Sequence, residues 1–325
     1  MEILLWAIIF IIALAVMMGG ADLFLKHAEI AGLRLGLSSF TVGVIIVGFG
    51  TSLPELTSAL LAVVAHAPTI VAANAIGSNI ANMLLIGGVL AFVGKKIVID
   101  HDLLDTELPF FVISMSLFAE IAYDAQVTQI ESLLLASIFL IYFGFLFSPS
   151  YNSGTAVKAM KKEVQHERFR LFKLSDMKTA LYLMLGLAAL LLGARYVVTS
   201  VISLATLLSI PPGVISITAI ALGTSLPELI VSLKALKSNN VSLAIGNIFG
   251  SNAFNIMVVL GVPGLFTVLP LDGPTFNVGL PVLLVSSFIF LVIGLARRLY
   301  RWEGLMFFLL YIFFIMNLVT ECCGV

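Results

Sequence analysis

The chain has 325 residues, of which 60% are hydrophobic and 11% are charged. Soluble domains carry about 25% charged residues, so this composition excludes a soluble globular protein and predicts a polytopic membrane protein. The net charge of −1 gives no indication of a nucleic-acid partner, and the adjacent Cys322 and Cys323 form neither a disulfide framework nor a metal motif.

Apolar runs long enough to cross a bilayer occur ten times along the chain, since a helical span needs about 20 apolar residues. The predicted spans are 3–20, 36–65, 69–93, 108–123, 129–148, 178–196, 210–233, 241–268, 277–296 and 303–320. The first and sixth can extend to Ala31 and Leu207. Five spans in each half predict that the second half is inverted relative to the first, which is typical of transporters.

The positively charged residues are distributed unevenly between the two sides that these spans define. Of the 17 Lys and Arg residues, all except Arg195 fall in or beside the loops that follow the odd-numbered spans. Cytoplasmic loops carry the excess of Lys and Arg in membrane proteins. The pattern predicts a multi-pass protein of the cell membrane with both termini on the extracytoplasmic side.

The one long polar segment of the sequence, 149–177, lies between the fifth and sixth spans and is rich in basic residues. We interpret it as a solvated cytoplasmic linker, with contact to anionic lipid headgroups as the alternative. The predicted organisation is a first inverted repeat in 1–148, the linker, and a second inverted repeat in 178–325.

Two short motifs occur once in each half. Residues 48–55 read GFGTSLPE and residues 221–228 read ALGTSLPE; residues 77–82 read GSNIAN and residues 250–255 read GSNAFN. Every matching pair is separated by 173 positions, without a gap. Each half therefore carries one copy of the same unit.

Each copy of the first motif contains a glutamate and a proline within an apolar run. An ionisable residue at membrane depth costs at least ~2.5–3.5 kcal/mol and indicates a functional site. In a continuous helix, Pro54 and Pro227 would free the carbonyls four residues earlier, and irregular backbone in a membrane must be buried in protein or line a cavity. We therefore predict that helices 2, 3, 7 and 8 are discontinuous around an ion site near the midplane.

The spacing of side chains brings oxygen atoms together in each copy. Thr51 and Glu55 are four residues apart, as are Ser78 and Asn82, so each pair shares a face of a helical segment. The second half repeats these relations with Thr224, Ser225, Glu228, Ser251 and Asn255. Neither motif contains His or Cys, which argues against zinc or copper, whereas an all-oxygen site suits Ca²⁺ or Na⁺.

At these motifs the chain resembles the cation/calcium exchanger superfamily, and most closely its prokaryotic sodium/calcium exchangers. The resemblance covers nearly the whole chain, and the GTSLPE sequence at 50–55 and 223–228 is highly specific. The proton-coupled branch typically has Gly-Asn-Ala-x-Glu at this place, which this chain lacks.

The resemblance implies an all-α fold of ten transmembrane helices in two inverted five-helix repeats. Eight helices would form a core, and the long tilted first and sixth helices would slide over it. The implied activity is that of a secondary antiporter, not an enzyme, which exchanges cytosolic Ca²⁺ for external Na⁺ by alternating access and is electrogenic. It implies no cofactor and no obligate protein partner, only the transported ions and the lipid bilayer.

The resemblance also implies roles for individual residues. Ca²⁺ would be held by Glu55 and Glu228, with backbone oxygens near Thr51 and Thr224. Flanking Na⁺ sites would use Gly48, Ser52, Ser78, Ala221, Ser225 and Ser251. Some members of the family have aspartate where Asn255 stands, whereas here Asn82 and Asn255 occupy both halves. The site then has two formal negative charges, which favours independence of K⁺ and leaves the number of Na⁺ ions open.

Other functions remain compatible with these residues. Carboxyl groups also carry protons, so a Ca²⁺/H⁺ exchanger or another cation antiporter of the same fold is the main alternative. A cation channel would use the same oxygens, but channels usually build a filter around a symmetric pore, whereas inverted repeats suit alternating access. An intramembrane enzyme could use the two carboxylates, although the sequence offers no further catalytic constellation.

Overall fold

The structure is a computed structural model that describes residues 2–35, 37, 39–99, 102–146, 175–207 and 225–323. Apart from its last three residues, which begin a helix, the predicted linker 149–177 lies outside the described residues. The described chain is mostly helical, with four short strands.

The described helices of the first half follow the predicted spans closely. They are α1 (Glu2–Leu35), α2 (39–51), α3 (Leu53–Val64), α4 (Thr69–Gly94), α5 (Asp102–Ile121) and α6 (Gln129–Leu146). Within α2 and α4, the segments Gly43–Gly48 and Ala81–Ile86 are π-helical. One 3₁₀ turn, Ala122–Asp124, follows α5.

The described helices of the second half have counterparts in the first, while residues 208–224 lie outside the described part. These helices are α7 (Ser175–Leu207), α8 (Leu226–Lys237), α9 (Val241–Gly264), α10 (Thr275–Ala296) and α11 (Arg301–Cys323). The segments Asn255–Leu260 of α9 and Thr275–Gly279 of α10 are π-helical. Each of the ten predicted spans thus overlaps a described helix, with α2 and α3 together forming the second.

Length and composition give candidate membrane-crossing helices among the described residues. Six are long and apolar enough to cross a bilayer, namely α1, α4, α7, α9, α10 and α11. The pair α2–α3 qualifies as a seventh span with a bend of 43°. The polytopic all-α class is therefore confirmed, while the count of ten spans remains a prediction.

Within the described residues a helix break occurs in the second span alone, so the predicted discontinuities of helices 3, 7 and 8 are not confirmed. The second span breaks at Ser52, where the chain leaves helical geometry, and Pro54 then occupies the first turn of α3, which needs no amide donor. Ser225 begins α8 with nearly the same backbone angles as Ser52, but residues 208–224 lie outside the described part. In α4 and α9 the irregularity is a π-helical segment within a continuous helix, a feature frequent at functional sites.

The two longest helices, α1 and α7, cross in close contact. A side chain on Gly20 would meet the backbone at Leu190, and one on Gly193 would stand 2.6 Å from the amide nitrogen of Met17. Adding 173 to 20 gives 193 and subtracting it from 190 gives 17, so the two contacts are equivalent. Small residues allow this approach of helices in a membrane, where packing replaces the hydrophobic driving force.

Two polar contacts join α1 to the second half. Lys234 Nζ lies 2.5 Å from Asp22 Oδ1, and Asn240 Nδ2 donates to Glu29 Oε1 at 2.7 Å. Asp22 is 68% exposed, so its ion pair contributes little to stability. These contacts lie where α1 meets α8 and the start of α9.

Two antiparallel strand pairs connect the halves. They join β1 (Lys96–Val98) to β4 (Arg298–Tyr300) and β2 (Gln126–Val127) to β3 (Leu269–Pro270). Lys96 pairs with Tyr300 and Val127 with Leu269, and the offset of 173 converts one pairing into the other. Because α5 connects β1 to β2, the two ribbons lie at opposite ends of a helix about 30 Å long.

Candidate ion-binding site

The two glutamates are positioned by the starts of two helices, α3, which follows the helix break at Ser52, and α8. Glu55 and Glu228 both lie in the first turn of their helices, directly after a proline, and each is 1% exposed. The backbone amides of a first turn have no partner within the helix, and the N-terminal end of a helix favours negative charge. The two carboxylates are therefore buried where the local backbone is electropositive.

A hydrogen bond brings the two copies of the motif together. Ser52 Oγ donates to Glu228 Oε1 at 3.2 Å, between residues that are 176 positions apart. Both side chains are buried. The sequence predicts that the two motifs meet within the membrane, and for these two residues the contact is direct.

The hydroxyl of Thr51 faces several acceptors. Thr51 Oγ1 lies 3.0 Å from the carbonyl oxygen of Val47, 3.3 Å from that of Gly48 and 3.3 Å from Asn247 Oδ1. A hydroxyl has one hydrogen to donate, so these acceptors share it. The third contact joins the break in the second span to α9.

Another hydroxyl connects the halves through the backbone. Ser251 Oγ donates to the carbonyl oxygen of Gly48 at 3.2 Å. Gly48 permits this approach because a Cβ there would stand 3.0 Å from the backbone nitrogen of Ser251. Two of the residues assigned to flanking Na⁺ sites, one from each half, are therefore in contact.

Asparagines form a further connection between α4 and α9. Asn255 Nδ2 donates to Asn79 Oδ1 at 3.0 Å, and Asn79 Nδ2 donates to the carbonyl oxygen of Asn252 at 3.1 Å. All three residues are fully buried. These two hydrogen bonds join the helices close to where their π-helical segments begin.

Several buried oxygens on α4 and α9 and at the start of α8 have no hydrogen-bond donor in the part of the chain that the structure describes. They are Glu228 Oε2, Ser225 Oγ, Asn82 Oδ1, Asn252 Oδ1 and Asn255 Oδ1. An unsatisfied buried polar group costs about 1–3 kcal/mol. A cation would supply these oxygens with a partner, whereas the amide nitrogens of Asn82 and Asn252, also unsatisfied there, need an acceptor such as water.

The ten predicted site residues that the structure describes are all buried. They are Gly48, Thr51, Ser52, Glu55, Ser78, Asn82, Ser225, Glu228, Ser251 and Asn255. Thr224 and Ala221 lie outside the described residues. No cluster of three or more His, Cys, Asp and Glu side chains occurs within the described ranges. In the described residues, the candidate site consists of two carboxylates with hydroxyl, amide and backbone oxygens, which are the ligands of hard cations such as Ca²⁺.

Four asparagines and a serine that are buried on the helices carrying the candidate site are absent from the predicted set. They are Asn74, Asn79, Asn247, Asn252 and Ser232. The asparagines were recognisable, because the offset of 173 pairs Asn74 with Asn247 and Asn79 with Asn252. Ser232 has no such signal, since its counterpart is Ala59.

The family model for sodium/calcium exchanger proteins matches residues 5–148 and 178–320. The chain belongs to the sodium/calcium exchanger family. This confirms the resemblance inferred from the duplicated motif.

The alignments with similar proteins cover almost the whole length of this exchanger. The sodium/calcium exchanger MaX1 of Methanosarcina acetivorans is 32% identical over 348 aligned positions, covering 96% of this chain and 97% of the relative. The inner membrane protein YrbG of Escherichia coli is 30% identical and covers 90% of each chain. The solved structure of the sodium-calcium exchanger NCX_Mj superposes with a TM-score of 0.81 at 30% identity, covering 97% of this chain and 99% of the other.

Proposed function

We propose that this protein is a secondary antiporter that exchanges Na⁺ for Ca²⁺ across the membrane by alternating access. The observation that carries the proposal is the hydrogen bond between Ser52 and Glu228, because it joins the duplicated motifs at a buried site with two carboxylates. Membership of the exchanger family and similarity to MaX1 and NCX_Mj support the choice of ions.

The charge of the site suits the proposed cargo. Glu55 and Glu228 would together balance one Ca²⁺, with backbone oxygens near Thr51 and Thr224 completing the coordination. An uncompensated charge in an apolar interior is costly. After Ca²⁺ has left, Na⁺ must therefore bind to the two carboxylates before the site can turn to face the other side of the membrane. The flanking oxygens of Gly48, Ser52, Ser78, Ala221, Ser225 and Ser251 would hold these Na⁺ ions.

The proposed movement is a displacement of the α1–α7 pair against the remaining helices. Both ribbons connect helices other than α1 and α7, so these two are free of strand connections within the described residues. The division into inverted repeats at 1–148 and 178–325 is part of this proposal. It is supported by the two strand pairs, because the offset of 173 converts the pairing of Lys96 with Tyr300 into that of Leu269 with Val127.

We expect purified protein in lipid vesicles to take up Ca²⁺ when Na⁺ is concentrated inside, and to reverse the flux when the Na⁺ gradient is reversed. If three Na⁺ exchange for one Ca²⁺, a potential of 100 mV adds about 2.3 kcal/mol per net charge, so flux should also follow a valinomycin-clamped potential. Uptake of ⁴⁵Ca²⁺ with Na⁺, H⁺ and K⁺ gradients varied separately measures this. Flux driven by a pH gradient and indifferent to Na⁺ would establish the Ca²⁺/H⁺ exchanger instead.

The proposed orientation gives a separate expected result. Because Lys and Arg concentrate on one side, a tag after Glu2 and a reporter after Val325 should both be extracytoplasmic, and a tag near Lys161 cytoplasmic. Protease protection of the three tagged proteins in intact cells measures this. Digestion of the Lys161 tag from outside would contradict this orientation.

A further inference from the structure

Asn247 on α9 contacts both halves of the candidate Ca²⁺ site from a fully buried position. Its Nδ2 donates to Ser232 Oγ at 2.8 Å and lies 3.3 Å from the carbonyl oxygen of Glu228. Its Oδ1 accepts from Thr51 Oγ1 at 3.3 Å. One amide therefore joins the break in the second span to the first turn of α8.

The surroundings determine the orientation of this amide. The carbonyl oxygen of Glu228 can only accept a hydrogen bond, so it must face Nδ2. The hydroxyls of Thr51 and Ser232 can each donate or accept, and they adapt to either end. The reverse orientation would point two oxygens at each other, which makes the observed arrangement the one that satisfies every contact.

Among the described residues, the first half does not repeat the two contacts that the Asn247 nitrogen makes. Asn74 is the counterpart of Asn247, and Ala59 stands where Ser232 stands in the second half. Asn74 Nδ2 is buried and has no hydrogen-bond partner among the residues that the structure describes. Among the described residues, an asparagine amide therefore donates to the glutamate backbone beside Glu228 and not beside Glu55, although the motifs themselves are duplicated.

We propose that Asn247 and Ser232 form a positioning pair that holds the first turn of α8 at a fixed distance from Thr51, and so keeps the Ca²⁺ ligands of the two halves together. This inference rests on the proposed function. Ser232 fixes the Asn247 amide, and the amide in turn fixes the Glu228 backbone and the Thr51 hydroxyl. Neither residue of the pair binds the ion itself.

The pair should influence Ca²⁺ more than Na⁺. It contacts Thr51 and Glu228, which belong to the proposed Ca²⁺ site, whereas the contact between Ser251 and Gly48 involves proposed Na⁺ ligands. Ca²⁺ needs about six to eight oxygens converging from both halves, so it depends most on their relative position. Losing one such hydrogen bond corresponds to about a three- to tenfold change in binding.

The test is Ser232→Ala, with KM for Ca²⁺ and half-saturation by Na⁺ measured by ⁴⁵Ca²⁺ flux in vesicles. We expect the KM for Ca²⁺ to rise about three- to tenfold, with maximal flux and half-saturation by Na⁺ near the wild-type values. Ser232→Thr retains the hydroxyl and should restore the KM. The double variant with Asn247→Ala should raise the KM no further than Asn247→Ala alone, since both residues act through one amide.

Ser286→Ala is the matched control, because Ser286 is buried on α10 and its hydroxyl bonds its own helix at Val282. An equal rise in KM for Ser286→Ala, or an unchanged KM for Ser232→Ala, would overturn the positioning role. If Ser232→Ala does not fold, Ser232→Cys replaces the hydroxyl by a weaker acceptor and should give a smaller rise in the same direction. Absence of Na⁺-coupled flux in the wild-type protein would instead contradict the proposed function.

Discussion

Replacing either Glu55 or Glu228 by Gln is expected to reduce Ca²⁺ transport about a hundredfold or more while the protein still inserts and folds. The substitution preserves size and one oxygen but removes a full charge from a site where each carboxylate is 1% exposed. Removing one partner of a buried ion pair costs about 3–5 kcal/mol, because the remaining charge is left uncompensated. In either variant, a bound Ca²⁺ would keep only one of the two carboxylates that balance its charge. Reconstituted ⁴⁵Ca²⁺ flux, normalised to the amount of monodisperse protein, measures the loss.

Two variants provide the comparison for these glutamates. Glu120→Gln removes the same charge from an exposed position at the end of α5 and should leave the flux near the wild-type rate. Ser52→Ala removes a neutral donor to Glu228 Oε1, so we expect a loss well below that of either glutamine variant, with Na⁺ dependence changed more than Ca²⁺ binding. Near-normal Ca²⁺ flux in both glutamine variants would rule out the proposed site.

The second large effect is expected from Gly20→Leu. A side chain at this position runs into the backbone of α7 at Leu190, and backbone cannot move aside as a flexible side chain can. Overpacking typically costs about 1–3 kcal/mol where neighbours can relax, and here two long helices must separate. We expect a lower melting temperature in detergent and loss of most Na⁺-driven Ca²⁺ flux.

The adjacent residue supplies a matched control for Gly20. Gly19 is exposed, and apart from its chain neighbours and the backbone of its own helix, a Cβ there would meet no atom of the described chain within 4 Å. Gly19→Leu adds the same volume on an exposed side of α1 and should retain both stability and flux. If Gly20→Leu behaved like Gly19→Leu, the close crossing of α1 and α7 would not be required for either property.

Much of the architecture follows from the amino-acid sequence because the membrane imposes simple rules. Length and apolarity locate helices that overlap all ten predicted spans, including the extension of α1 and α7 towards Ala31 and Leu207. The duplicated motif leads to the family, which the comparison confirms, and to ten described residues that are all buried. Their individual roles in ion binding remain predictions.

The parts that the sequence does not reveal depend on contacts between distant residues. Ser232 is inconspicuous until α9 brings Asn247 within 2.8 Å of it. The π-helical segments of α4 and α9 contain no proline or charged residue from which they could be predicted. Both begin close to the hydrogen bond between Asn255 and Asn79. The ribbons are too short to stand out beside long apolar helices, and their partners lie more than 140 positions apart.

The pairing of β1 with β4 also has a consequence for biosynthesis, because one strand is made before its partner. Strand β1 leaves the ribosome long before its partner β4, because Lys96 and Tyr300 are separated by 204 positions. At about 5–20 residues per second, the wait is roughly ten to forty seconds. During this interval the first strand presents an open edge, and Lys95 and Lys96 at its start hinder pairing with a wrong neighbour, as charged residues do on exposed edges.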